Sequence, residues 1–131
     1  MAGIAGIIKK DNSRLEDSEL RGMKIMLKNI AFSDKQFKSL YKKNNIVFGN
    51  VVPLGYQNKD HFKNNKLLNI VCAIDGLVFV SNKEKKLVSK KFDIDIELSD
   101  YELIPYLYRL YHKNIVYHIS GLFNIFFYDN N

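Results

Sequence analysis

The side chains best suited to nucleophilic or metal chemistry are isolated from one another in this sequence. The single cysteine, Cys72, lies in the apolar run 70–74, where a free thiol usually serves as a small packing group. His61 stands in a charged connection, where a histidine is typically an ordinary surface residue. Cys72 has no Cys, His or carboxylate at ligand spacing, and no nucleotide-binding or zinc motif is present. The sequence therefore predicts neither a metal nor a cofactor.

The N-terminal run MAGIAGII is the segment in which catalysis by an N-terminal residue would be possible. Its small residues and isoleucines are typical of a buried strand, and Gly3 and Gly6 allow another backbone or a small ligand to come close. Lys9 cuts the run off too early for a signal peptide, and no basic segment precedes it. An N-terminal residue inside a fold can use its own amine as the base for its nucleophilic side chain. Residue 2, however, is Ala2, which has no such side chain.

The bulk composition predicts one domain spanning residues 1–131, because 47% hydrophobic content is enough for a single core. No uncharged apolar run approaches the roughly 18 residues that span a bilayer. A lone cysteine suits a reducing compartment. Together these features predict a cytoplasmic protein.

The net charge of +6 invites a nucleic-acid hypothesis. The lysines, however, lie among asparagines and serines in the segments 35–43, 59–66 and 83–91. That distribution is more typical of solvated loops than of a helix that reads a nucleic-acid groove. We therefore expect neither a nucleic-acid partner nor a membrane partner.

Two helices are predicted from local signals. Apolar residues recur at helical spacing across 15–29, with acidic residues in the first turn where the helix dipole favours them. A capping box, SDYE at 99–102, opens a second helix. Pro105 falls inside its apolar pattern, so either the first turn is kinked or the regular helix begins at Pro105. The polar segment 33–45 is predicted to be a short helix or a loop.

The remaining apolar segments predict strands. A strand beginning at 46–48 is interrupted by Gly49-Asn50, and the segments 67–74 and 77–80 flank Asp75-Gly76, the dipeptide typical of a type I′ hairpin turn. Residues 83–91 are expected to form an exposed cationic link. The segment 93–98 is predicted as a short edge strand, and 122–128 as a strongly apolar strand. This order of elements predicts an α+β fold with mostly antiparallel sheets.

Four segments, taken in order, resemble the glutamine amidotransferase domain of asparagine synthetases, a class II amidotransferase of the N-terminal nucleophile hydrolase type. MAGIAG at 1–6 is similar to Met-Cys-Gly-Ile-x-Gly, and IDGLVF at 74–79 to a strand carrying Asn-Gly-Glu-Ile-Tyr. SDYELI at 99–104 is similar to Ser-Asp-x-Glu-x-Ile, and SGLFNIFFYD at 120–129 to Asn-Gly-Met-Phe-Ala-Phe-x-x-x-Asp. The resemblance implies an αββα sandwich with mostly antiparallel sheets, shortened at the C-terminus to about the first two thirds of the family domain.

The family's chemistry requires an N-terminal cysteine thiolate, together with an Asn side chain and a Gly N–H that hold the oxyanion. By resemblance, Ala2 stands at the nucleophile position and Asp75 at the oxyanion position, where a carboxylate would repel the developing charge. Gly76 keeps its N–H donor. The arginine that binds the substrate's α-carboxylate aligns with Val51, and Asp100 alone remains as an amine-binding position.

These losses predict a catalytically inactive, pseudoenzyme domain that acts as a structural or regulatory interaction module. The resemblance implies a protein partner, a separate ATP-dependent synthetase or cyclase subunit in amide or peptide natural-product biosynthesis, or else a homodimer. A residual amino-acid ligand at Asp100 and Gly76 stays open. Two alternatives also stay open. One is a glutamine-hydrolysing amidotransferase captured as a Cys-to-Ala variant at residue 2, and the other is a basic RNA- or membrane-surface-binding module.

Overall fold

The computed structural model describes residues 3–31, 36–52 and 61–131. The chain divides into two compact units, Met1–Phe62 and Lys63–Asn131. The described elements are, in chain order, β1 (Gly3–Ile8), α1 (Asp17–Ile30), β2 (Phe37–Lys43), β3 (Ile46–Val52), β4 (Phe62–Asn65), β5 (Ile70–Val80), α2 (Asn82–Phe92), α3 (Asp100–Tyr111), a 3₁₀ helix (His112–Tyr117) and β6 (Ile119–Asp129). The predicted α+β class with antiparallel pairing is confirmed. The prediction of a single domain stays a prediction.

The first unit contains a three-stranded sheet in the order β1-β3-β2. β3 pairs antiparallel with both neighbours, and a tight turn at Asn44 and Asn45 joins it to β2, with Asn44 at φ 43°. Helix α1 shares a core with this sheet, formed by Leu15, Met23, Leu27, Val47 and Val51. The helix predicted over 15–29 is thus confirmed, and its apolar stripe is the face that meets β3.

Two sequence predictions in this unit are wrong. Within the segment 33–45, residues Phe37–Lys43 form strand β2, whereas residues 33–35 lie outside the described residues. Gly49 does not interrupt β3, which runs unbroken over Ile46–Val52. A Cβ atom at Gly49 would lie 2.1 Å from the Ser39 carbonyl oxygen of the neighbouring strand. The glycine therefore permits close pairing of β2 and β3.

His61 is also placed differently from the prediction. It is only 4% exposed, and its carbonyl oxygen accepts a hydrogen bond of 3.0 Å from the Asn50 side-chain amide. The surface role predicted for His61 is therefore wrong. Asn50 lies on the fully buried strand β3, so its amide needs a partner inside the protein.

The second unit contains a sheet in the order β4-β5-β6. β5 and β6 pair antiparallel over their whole length, from Ile70↔Asp129 to Val80↔Ile119. Alternate residues of β5 face helices α2 and α3 in one core, whose buried members are Cys72, Ile74, Val78, Val80, Val88, Leu103, Ile104, Leu107, Ile115 and Ile119. Cys72 is confirmed as a packing residue, and burial raises the pKa of its thiol to about 12.

The hairpin predicted at Asp75-Gly76 is wrong, because β5 runs through both residues without turning. Gly76 does have the positive φ that a type I′ turn needs, at 100°, but it uses that conformation inside the strand, opposite Phe123. The strand that pairs with β5 at these residues is β6, which follows only after two α-helices and a 3₁₀ helix.

The link predicted over 83–91 is helix α2. Ser81 caps it by accepting a hydrogen bond from the Glu84 N–H, and Val88 is buried on its inner face. The helix ends at Asp93, which adopts the left-handed conformation at φ 52°. The edge strand predicted over 93–98 is also wrong. The Asp95 side chain accepts from the Glu97 N–H there and forms a turn.

Helix α3 begins where the capping box predicts. Ser99 Oγ accepts from the Glu102 N–H, and the Glu102 carboxylate accepts from the Ser99 N–H at 2.9 Å. The helix is already formed at Asp100, so the option of a start at Pro105 is wrong. Among the described residues, no helix combines the length and the apolar character needed to span a membrane.

Candidate functional site

Asp75 and Gly76 lie in the middle of β5, at the positions where the family resemblance places the oxyanion-binding pair. Gly76 has no room for a side chain, because a Cβ atom would lie 2.0 Å from the Leu122 carbonyl oxygen. Its own carbonyl oxygen accepts a hydrogen bond of 3.0 Å from the Tyr101 hydroxyl. This position therefore requires glycine, and the first turn of α3 fixes its orientation.

Asp100 is the first residue of α3, and both of its carboxylate oxygens have partners. Oδ2 accepts from the Val80 N–H at 3.0 Å, and Oδ1 lies 2.6 Å from Lys85 Nζ. The Asp100 side chain is only 20% exposed. The carboxylate thus connects the end of β5, helix α2 and the start of α3, so its role in this unit is to stabilise the fold.

The remaining residues singled out by the resemblance belong to the first unit. Val51 is 1% exposed, lies in β3 opposite Gly3, and forms part of the core beneath α1. Ala2 lies outside the described residues. Gly3 and Gly6 permit close contact with Ile30 and Phe48, since a Cβ atom would lie 2.8 Å and 3.1 Å from those side chains. The structure brings Gly76 and Asp100 to neighbouring parts of the second unit.

A buried carboxylate in the second unit was not predicted from sequence. Glu84 is 8% exposed, and its Oε2 accepts a hydrogen bond of 2.9 Å from the Tyr111 hydroxyl. Its Oε1 lies 3.0 Å from His118 Nδ1. Because an ionised carboxylate can only accept, His118 Nδ1 is the donor in this bond.

The Tyr111 and His118 rings are stacked, with centroids 3.5 Å apart and planes inclined by 3°. Burial, followed by the hydrogen bond to Glu84, raises the pKa of the Tyr111 hydroxyl, so it stays a neutral donor at ordinary pH. Three elements meet in this cluster: the first turn of α2, the last residue of α3 and the residue before β6.

One signal for this cluster is visible in the sequence. SNKE at 81–84 has the spacing of an N-terminal helix cap, which places Glu84 in the first turn of a helix. No local pattern links Glu84 to Tyr111 or to His118, which follow it by 27 and 34 residues. Their proximity depends on the return of the chain through α3 and into β6.

Among the described residues, no group of three or more His, Cys, Asp or Glu side chains is arranged to hold a metal ion. Two open cavities have distinctive linings. One, of about 240 Å³, adjoins the Glu84 cluster. The other, of about 590 Å³, lies in the first unit and is basic, with the lining Asn12, Arg14, Lys42, Lys43 and Asn44.

Comparison of the chain with protein-family models, with curated proteins and with solved structures finds no match.

Proposed function

We propose that this chain is a catalytically inactive, glutamine-amidotransferase-like domain that serves as an interaction module for a protein partner. The observation that carries the proposal is the ion pair of Asp100 with Lys85. Asp100 is the one side chain that the resemblance leaves for binding a substrate amine, and its charge is already paired with the Lys85 ammonium group within the fold.

The substituted positions support the same conclusion. Ala2 offers only a methyl group where a nucleophile is needed, and Val51 places an apolar side chain in a core where a guanidinium would bind a carboxylate. Losing one oxyanion donor alone costs about 2.7–4 kcal/mol of transition-state stabilisation. Asp75 would add repulsion to that loss. Glutamine hydrolysis by this chain would therefore be negligible.

The layers of the fold support the proposed family. In the first unit one helix packs on an antiparallel sheet, and in the second unit two helices pack on one face of another. An αββα sandwich is built from two helix-covered sheets of this kind. We propose that the chain is a shortened version of that sandwich, of the N-terminal nucleophile hydrolase type.

The first experiment tests the inactivity. The variants Ala2→Cys and Ala2→Cys/Asp75→Asn are assayed for ammonia release from glutamine, beside an active amidotransferase as positive control. We expect background rates from both, because the arginine position remains Val51. Glutaminase activity in Ala2→Cys would overturn the proposal and favour an enzyme captured as a Cys-to-Ala variant.

The second experiment tests the partner. The chain is co-expressed with a separately encoded ATP-dependent synthetase-like subunit from the same genome, and the two are purified through a tag on one of them. We expect a stable complex of defined stoichiometry. A chain that stays a monodisperse monomer beside such subunits would contradict the proposal, and a dimer in sedimentation would favour self-association.

A second candidate function is favoured by the basic cavity of the first unit. Arg14, Lys42 and Lys43 line it together, and within the described part of the chain no carboxylate lines it. Such a surface suits RNA or an anionic membrane. Binding of this kind falls steeply with added salt, so a salt titration with a single-stranded RNA and with anionic vesicles distinguishes it from the partner module.

A further inference from the structure

The cavity of about 240 Å³ in the second unit has a lining that differs from the rest of the chain. The protein carries 20 Lys and Arg against 14 Asp and Glu. Among the described residues, no Lys or Arg lines this cavity, whereas a carboxylate does. The lining residues are Phe79, Ser81, Glu84, Tyr117, His118, Ile119 and Ser120. The lining therefore favours a cation over an anion.

The Glu84 carboxylate has acceptor capacity left for a ligand. Its two oxygens provide about four acceptor sites. Two of these are used, one by the Tyr111 hydroxyl and one by His118 Nδ1. The hydroxyl oxygens of Ser81 and Ser120 are further acceptors on the same cavity wall.

Two aromatic rings complete the wall. Phe79 is 55% exposed and Tyr117 is 83% exposed, although both are large and apolar. An exposed aromatic ring beside a carboxylate suits an alkylammonium ion, because the ring can attract the cation through its electron-rich face and offers apolar surface to the alkyl chain.

We propose that this cavity binds the ammonium group of a small alkylamine. Glu84 supplies the charge, the serine hydroxyls accept the remaining N–H groups, and Phe79 and Tyr117 pack against the alkyl chain. The start of α2 partly offsets the charge of Glu84 because a helix N-terminus is positive. We therefore expect a dissociation constant on the order of millimolar. This inference does not depend on the proposed partner function.

The test is an amide NMR titration of the full chain with n-butylammonium chloride at neutral pH. Sodium butyrate and n-butanol serve as matched anionic and neutral probes. We expect n-butylammonium to shift the signals of residues 79–84 and 117–120 in a saturable way. The two matched probes should leave those signals unchanged.

Two variants locate the effect. Glu84→Gln should weaken n-butylammonium binding by about tenfold or more, as expected for the loss of a partly desolvated charge. Glu97→Gln, at an exposed carboxylate outside the cavity, is the control and should bind as the unmodified chain does.

If Glu84→Gln does not fold, the double variant Phe79→Ala/Tyr117→Ala tests the proposal instead. Both rings are exposed, so their removal leaves the core intact. We expect several-fold weaker binding from that variant. Saturable shifts with butyrate would show an anion site and would overturn the proposal. No saturable shift with n-butylammonium, or equal shifts in Glu84→Gln, would overturn it as well.

Discussion

The Asp100 carboxylate lies 2.6 Å from the Lys85 ammonium group and also accepts a hydrogen bond from the Val80 N–H. One side chain thus joins β5 to both helices that cover it. Hydrogen bonds to charged groups contribute more than neutral ones when they are partly shielded from water. Asp100 therefore serves the stability of the second unit.

Replacing Asp100 by Asn should lower the free energy of unfolding by about 1–3 kcal/mol, as measured by urea denaturation. The matched control is Asp17→Asn, because Asp17 is also the first residue of a helix but is exposed. The control should lose only about 0.3–1 kcal/mol, the contribution of a carboxylate at a helix N-terminus. Equal losses in the two variants would contradict the structural role of Asp100.

Gly76 and Gly121 should tolerate no side chain. Both have positive φ, and a Cβ atom would lie 2.0 Å and 2.1 Å from a carbonyl oxygen of the opposite strand. Gly76→Ala and Gly121→Ala should each cost about 1–3 kcal/mol from the backbone conformation alone. The additional clash should increase that loss.

Gly22→Ala is the control for these two variants, because Gly22 lies in helix α1 and a Cβ atom there meets nothing within 4 Å. Alanine should stabilise this helix by about 0.5–1 kcal/mol. Thermal or urea unfolding of the three variants checks the prediction. A neutral Gly76→Ala variant would mean that β5 does not run as described.

The raised pKa of Tyr111 predicts that the free energy of unfolding falls at high pH. Burial and the hydrogen bond to Glu84 raise the pKa of its hydroxyl above the ordinary value of 10.0. Above that value the folded protein binds this proton more tightly than the unfolded chain does, so stability falls as the pH rises. Unfolding at about pH 8 and about pH 10.5 should show this fall.

Tyr111→Phe should reduce the fall in stability at high pH, whereas Tyr117→Phe should not, because Tyr117 is 83% exposed. Glu84→Gln should reduce it in part, since Glu84 is the second cause of the raised pKa. A pH dependence that is unchanged in Tyr111→Phe would argue against this assignment.

Cys72 should be inert in the folded protein. Its thiol is fully buried, and the pKa of about 12 leaves almost no thiolate at neutral pH. A thiol reagent such as dithionitrobenzoate should therefore react only at the rate of unfolding. Rapid and complete reaction in concentrated guanidinium chloride is the control, and rapid reaction of the native protein would contradict the placement of Cys72.

Elements with local signals were predicted well. The apolar spacing of α1 and the capping box of α3 at Ser99 and Glu102 depend on residues within one or two turns, so a short window contains the information. The lysines of α2 favour the prediction of an exposed link, although Ser81 caps a helix there and Val88 is buried. A basic composition suggested exposure, although only the outer face of this helix is basic.

Non-local pairings could not be predicted in the same way. Asp75-Gly76 has the dipeptide composition of a turn, yet the positive φ of Gly76 is used opposite Phe123, a residue far along the chain. The Glu84 cluster likewise depends on residues separated by two helices. The position of Asp100 at the start of α3 follows from the capping box in the sequence, whereas the partners of its carboxylate oxygens come from the fold.

The pairing of β5 with β6 constrains the order in which the second unit can fold. Its innermost pair, Val80↔Ile119, closes a loop that contains α2, α3 and the 3₁₀ helix. Closing a long flexible loop is entropically costly, and helices formed within it shorten the distance to be bridged. We expect α2 and α3 to form first and the ladder to extend outward from that pair. During synthesis, the backbone groups of β5 that pair with β6 therefore stay unpaired until β6 has left the ribosome.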